Sequence, residues 1–202
     1  MRLEIKSKEE VRIFLKGNKV FIFSCDNCGF LDIEEKNRKV FPYLEDFGLE
    51  IVGMYNLTKE GCNVGALKDI LKEEKENLER AESIITFTCG GFPQILPNYL
   101  NKPVVTATNT LKIEPGRSLG SFARLCSACG ECWISWTGNL CMEKLCPKKM
   151  RNGPCGGSKY GICEVYDRLC PWIILYKTKK FTEDNFLRVI PPKDFSKILL
   201  QE

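Results

Sequence analysis

The sequence predicts an α/β fold in its first half and a cysteine-rich, loop-rich segment in its second. Short apolar runs alternate with longer amphipathic stretches as far as residue 107. One Pro and two Gly then interrupt the pattern between residues 113 and 120. Beyond them, eight cysteines fall within the 47 residues from Cys126 to Trp172. Strands that alternate with helices argue for right-handed βαβ units and a parallel sheet.

Each element has its own warrant. Ser7-Lys8-Glu9-Glu10 is a capping box that opens an apolar-periodic run, Val11, Phe14 and Leu15, stopped by Gly17. Residues 19–23, K-V-F-I-F, read as a first strand, short and near-continuously apolar. A helical stretch is expected over 33–47, with Gly48 as its stop, and a second strand over 49–54. The strongest helical pattern runs from Val64 to Ala81, with Leu67, Ile70, Leu71 and Leu78 on one side and charges on the other. Residues 83–88 and 103–107 supply a third and fourth strand, with a short helix over 94–100 between them. The expected architecture is a small parallel-sheet domain of Rossmann or flavodoxin-like type over residues 1–114, then a cysteine-rich iron–sulfur (or zinc) domain over 121–202. Apolar groups in the tail from Trp172 onward are expected to fold back over the cysteines.

Composition narrows the chemistry. The chain has no histidine, which removes the commonest acid/base group and excludes Cys₂His₂ fingers, Rieske centres and His-ligated haem within it. Any metal is held mainly by sulfur, which favours zinc or iron–sulfur. The second half carries 13 Lys+Arg against 8 Asp+Glu. Thiolates and the cluster cores they hold would bring that half near neutral, so the lysines are not read as a nucleic-acid footprint. No run approaches the roughly 18 apolar residues of a membrane span. The opening MRLEIKSKEEV lacks the apolar core of a signal peptide. A cytoplasmic location is expected, where thiols stay reduced and disulfides are rare.

Four cysteines of the first half each follow an expected strand: Cys25 and Cys28 the first, Cys62 the second, Cys89 the third. In a parallel sheet all four emerge at one edge, the edge where open α/β folds bind ligands. They are expected to form one site for zinc or a four-iron cluster, between which spacing does not choose. In the second half, Cys126, Cys129 and Cys132 form C-x-x-C-x-x-C, which can hold three corners of a four-iron cube. Cys170, followed by Pro171, is the expected fourth corner. Cys141, Cys146, Cys155 and Cys163 make the second set, with Cys141 and Cys170 interchangeable between the two. Two [4Fe-4S] clusters are thus expected in this half. Gly153, Gly156 and Gly157 around Cys155 are expected to bring backbone N–H groups close to sulfur. Trp133, Trp136 and Trp172 are read as packing aromatics, and Lys148, Lys149 and Arg151 as a solvated charge run.

The combination C-S-A-C-G-E-C, T-G-N-L-C, N-G-P-C-G-G, G-I-C-E-V and C-P-W resembles the MetV-like small subunits of methylenetetrahydrofolate reductase from acetogens and related anaerobes. C-x-x-C-G after the first strand and T-C-G-G after the third extend the resemblance into the first half. It implies an electron-transfer subunit with no catalytic residue of its own. Electrons would enter from a ferredoxin or a larger oxidoreductase and leave for a flavin-bearing TIM-barrel subunit of the MetF type. The absence of a G-x-G-x-x-G dinucleotide fingerprint and of histidine fits that role. The alternatives are a zinc-stabilised scaffold and a heterodisulfide-reductase-like enzyme that uses Cys89 for thiol chemistry.

Overall fold

The computed structural model describes residues 2–25, 40, 42–45, 47–58, 62–113 and 121–178. At its centre is a parallel sheet of β2 (Lys19–Cys25), β3 (Glu50–Leu57), β4 (Ser83–Phe87) and β5 (Val104–Thr106), in the order β3-β2-β4-β5. β2 is apolar from Val20 to Phe23 because it is covered on both sides. Phe21 and Phe23 enter one core with Leu67, Ile70, Leu78 and Ile84. Val20 and Ile22 enter the opposite core with Val11, Leu44, Ile85 and Phe87. Successive side chains point to opposite faces, so one short run feeds two cores.

The pattern over 64–81 gives two abutting helices, α2 (Val64–Glu73) and α3 (Lys75–Arg80), after α1 (Lys8–Arg12) near the start of the chain. Asn63 caps α2 by accepting from Ala66 N–H at 3.0 Å. Glu74, at φ −89° and ψ 13°, interrupts the helical backbone, and its carboxylate accepts from Asn77 Nδ2 at 2.9 Å. Beyond the bend α3 lies against β3 at Gly53, where a Cβ would stand 2.7 Å from Phe21 Cε2 and 3.0 Å from Asn77 Cβ. The helix expected at 94–100 is instead a pair of 3₁₀ turns, Phe92–Gln94 and Leu96–Asn98, each with proline near its start. Proline lacks the N–H that a continuous α-helix needs. Of the helix expected over 33–47, residues 42–45 are helical and most of the rest lies outside the described residues. The boundary segment 114–120 and the tail beyond 178 lie outside them too.

A second, antiparallel ribbon has no counterpart in the sequence reading. β1 (Arg2–Ile5) pairs with β6 (Thr108–Lys112), and β6 begins one residue after β5 ends. Ala107 makes the transition: its N–H donates to Thr86 C=O at 3.0 Å, and its C=O accepts from Lys6 N–H at 3.0 Å.

The cysteine-rich segment packs directly on this frame. β5 is an edge strand, whose free backbone groups need partners. Thr106 N–H donates to Ser135 Oγ at 3.1 Å, and Asn139 Nδ2 donates to Val104 C=O at 3.0 Å. The 3₁₀ turn Ile134–Thr137 thereby covers the edge, and Trp136 stacks edge-on against Phe14 at 4.6 Å between ring centroids. Two short helices complete the segment, α4 (Met142–Leu145) and α5 (Pro171–Lys177).

Candidate metal centre

The chain crosses from β2 to β3 on one side, then returns past β2 to β4 and β5 on the other. The strand order therefore reverses between β2 and β4, and the crevice at their carboxyl ends is where such sheets accept ligands. Cys25 ends β2, and Cys89 follows β4. Cys62 comes from the loop just before the Asn63 cap. The three are buried, at 9%, 7% and 5% exposure for Cys25, Cys62 and Cys89. Burial, then the neighbouring Cys126 thiol, push the Cys89 thiol far above its ordinary value, and Cys25 adds a smaller push. Cys28, the fourth expected member, lies outside the described residues.

Cys126, Cys129, Cys132 and Cys141 line a single cavity of about 40 Å³, together with Gly90, Thr110, Glu131, Trp133, Glu143 and Arg151. The triple-cysteine run thus meets Cys141 here. Cys170 packs elsewhere, in an apolar cluster with Met142, Trp172 and Leu175. Burial raises the thiols of this cavity: Cys132 and Cys141 are each pushed up to about 12, and Cys126 is raised as well. Backbone N–H groups oppose that push. Ala128 N–H donates to Cys126 Sγ at 3.4 Å. Ile134 and Lys144 do the same for Cys132 and Cys141, and Gly91 and Phe92 do so for Cys89. Each donor lies two or three residues beyond its cysteine, so the turn after each thiol is folded to stabilise negative sulfur.

The α/β half builds one wall of the cavity. A Cβ on Gly90 would sit 3.2 Å from Cys132 Sγ and 3.4 Å from Cys126 Sγ, so the T-C-G-G corner approaches the thiols more closely than a side chain comfortably allows. Gly91 is equally constrained, since a Cβ there would overlap the Phe122 carbonyl. Thr110 Oγ1 accepts from Gly90 N–H at 3.0 Å and also hydrogen-bonds the Cys126 sulfur. Gln94 ties three arms together. Its Nε2 donates to Gly90 C=O at 2.7 Å and Leu125 C=O at 2.9 Å, and its Oε1 accepts from Cys141 N–H at 3.1 Å. Asn109 Oδ1 accepts from Cys132 N–H at 2.9 Å, and its Nδ2 donates to Glu4 Oε2 at 2.9 Å. Lys6 donates to the Cys132 carbonyl. None of these four side chains was a candidate from sequence. The available signals were a glutamine within the apolar run F-P-Q-I-L-P and the polar triplet T-N-T.

The remaining cysteines are more dispersed. Cys146 and Cys170 are buried, Cys163 is half-buried and Cys155 is exposed. Cys163 accepts backbone N–H groups from Val165 and Tyr166, which hold its thiol below the ordinary value. Cys155 Sγ lies 3.9 Å from Glu164 Oε1. Around Cys155 lie the three glycines expected to admit backbone to sulfur. Gly153 and Gly156 take φ of +125° and +79°, which L-residues rarely adopt, and Gly157 leaves room for the Glu164 carboxylate. The basic run is ion-paired: Lys148 to Glu164, Lys149 to Glu143 at 4.0 Å, and Arg151 to Glu143 at 2.6 Å and Glu131 at 3.8 Å. Among the described residues, no three Cys, Asp or Glu side chains form a ready metal-holding group.

The donor set around the cavity nonetheless fits a metal-containing group. Burial disfavours the thiolates of Cys126, Cys132 and Cys141, and a bound metal ion would supply the compensating charge. Trp133 Nε1 is buried without a hydrogen-bond partner and belongs to the same lining, a donor in want of an acceptor. No helix among the described residues is long and apolar enough to cross a membrane. No curated protein and no solved structure matches the chain. Residues 105–196 match the family model described as methylene-tetrahydrofolate reductase C terminal, a span that takes in β6 and every cysteine from Cys126 to Cys170. Over this span, somewhat less than half of the chain, the sequence is similar to the methylene-tetrahydrofolate reductase C-terminal family.

Proposed function

We propose that the chain is an iron–sulfur electron-transfer subunit that feeds a flavin-containing methylenetetrahydrofolate reductase partner. The observation that carries this reading is the cavity lined by Cys126, Cys129, Cys132 and Cys141. About 10–15 Å³ is enough to hold one water molecule, so a cavity of about 40 Å³ has room for a group of several atoms. A single zinc ion, bonded to each sulfur at about 2.3 Å, would draw four sulfurs together and leave no such room. A four-iron cluster also presents sulfide acceptors, which the indole N–H of Trp133 would satisfy. Such a cluster supplies one-electron transfer.

The chain's own residues then have defined tasks. Cys126, Cys129, Cys132 and Cys141 hold one cluster. Cys146, Cys155, Cys163 and Cys170 remain for a second, and Cys25, Cys28, Cys62 and Cys89 for a third cluster or a zinc. Backbone N–H groups after the cysteines and the Thr110 hydroxyl stabilise sulfur charge. Cys89 feels Cys126 more strongly than Cys25, and its neighbour Gly90 lines the four-cysteine cavity, so electrons would have a short passage from the first-half cysteines to that cavity. Carbon chemistry falls to the partner, because this chain has no histidine for proton transfer. The 5% exposure of Cys89 argues against thiol chemistry on an external disulfide.

The test is anaerobic purification with iron, sulfide and zinc quantification, followed by EPR after reduction. Iron and sulfide in near-equal amounts are expected. Cys129→Ser and Cys155→Ser should each remove a different cluster signal. Zinc without iron or sulfide would end this reading in favour of a zinc-stabilised scaffold.

A further inference from the structure

Lys6, a buried cation from outside the cysteine-rich segment, reaches the backbone of the four-cysteine cavity at Cys132. Its side chain is 1% exposed. Burying an ammonium costs several kcal/mol unless the fold gives it partners. The fold gives it two: the Glu10 carboxylate within α1, four residues on, and the carbonyl of Cys132, 126 residues on. Its backbone is fixed as well, by the N–H bond to Ala107 C=O. The other charges on the cavity wall are Glu131, Glu143 and Arg151, and Arg151 is shared between the two carboxylates. The wall alone is therefore net negative. Glu10, at 30% side-chain exposure, is partly screened by water, whereas Lys6 is not.

We propose that Lys6 is a potential-setting residue: its buried ammonium, held against the Cys132 backbone, makes the redox centre of the four-cysteine cavity easier to reduce. The inference rests on the iron–sulfur reading above. In the step concerned, one electron passes from a low-potential one-electron donor (dithionite in the assay) to the centre. The donor is oxidised, the centre is reduced, no bond breaks and no proton moves. The charge at the cavity falls by one, and a fixed positive charge beside it stabilises the product more than the starting state. Lys6 touches no reacting atom and acts through Cys132.

The experiment is an EPR-monitored redox titration of the full chain, following the signal that disappears in Cys132→Ser. Lys6→Met should make reduction at least tenfold less favourable, a shift of about 59 mV to more negative potential for one electron. Lys6→Arg, which keeps the charge, should stay near wild type. Glu10→Gln, which removes the opposing charge and leaves Lys6 in place, should shift the potential the other way by about threefold in the equilibrium constant. A merely structural lysine would not produce opposite shifts in Lys6→Met and Glu10→Gln. If Lys6→Met does not fold, Glu10→Gln decides: no positive shift overturns the proposal. An iron-loaded wild type whose potential ignores both variants overturns this inference alone. A wild-type chain without iron and sulfide overturns it together with the functional reading.

Discussion

Replacing Gln94 with methionine tests how the two halves of the chain build one site. Methionine matches the length of glutamine and keeps its apolar contacts, but makes none of its three hydrogen bonds. The Gly90 carbonyl and the Cys141 N–H belong to buried residues, so water does not replace the lost partner. Leu125 is half-buried, and its carbonyl can turn to solvent. A buried polar group left without a partner costs about 1–3 kcal/mol, so two such groups give about 2–6 kcal/mol. For a chain of this size, each kcal/mol lowers the melting temperature by about 2–4 °C, so a loss of at least about 4 °C is expected. The assay is anaerobic thermal denaturation followed by circular dichroism, with iron content measured on the same samples. On the proposed iron–sulfur reading, iron retention should fall with stability, because Gln94 holds Gly90, Leu125 and Cys141 in one arrangement. A melting temperature within about 1 °C of wild type, with full iron content, would refute the role given to Gln94.

Two further outcomes follow from the same geometry. Gly53→Ala should lower stability by about 1–3 kcal/mol, the usual cost of overpacking, because its Cβ would crowd Phe21 and Asn77; anaerobic thermal denaturation would read the loss. Glu82 accepts N–H groups from Lys19 at 2.9 Å and Asn18 at 2.7 Å, and these bonds, in that order, lower its carboxyl below the ordinary 4.5. A depressed folded-state value means that its contribution is complete above pH 4.5 and is lost as pH falls below it. Glu82→Gln should therefore narrow the stability difference between neutral and acid pH, and an unchanged wild-type-like profile would count against the assignment.

The N–H···S pattern links fold and chemistry more closely than the glycine loop does. Sequence pointed to N-G-P-C-G-G as the place where backbone meets sulfur, because glycine permits close approach. Among the described residues, donors also follow Cys89, Cys126, Cys132, Cys141 and Cys163, in turns made largely of ordinary residues. Only at Gly90 and Gly91 does the absence of a side chain decide the approach of another segment. The reason is geometric: an N–H two or three residues on reaches sulfur in any tight turn, so glycine is needed only where a second chain presses in.

The sequence by itself determined the parallel strands, because Lys19–Cys25 and Ser83–Phe87 are apolar runs whose alternate residues must fill two cores. It determined that Cys25, Cys62 and Cys89 share one edge, since parallel strands end on the same side. It determined that any bound metal depends on sulfur, since the chain has no histidine. The tertiary structure alone decided that Cys141 joins Cys126, Cys129 and Cys132 in one cavity while Cys170 packs with Trp172. It alone decided that Lys6, Gln94, Asn109 and Thr110 surround them, and that β1 and β6 pair into the ribbon that carries Lys6 alongside. Local spacing and periodicity are properties of a few adjacent residues and survive in the one-dimensional record. A fourth cysteine, a buried ammonium and a bridging amide are chosen by closure between segments up to 126 residues apart, which no local pattern encodes.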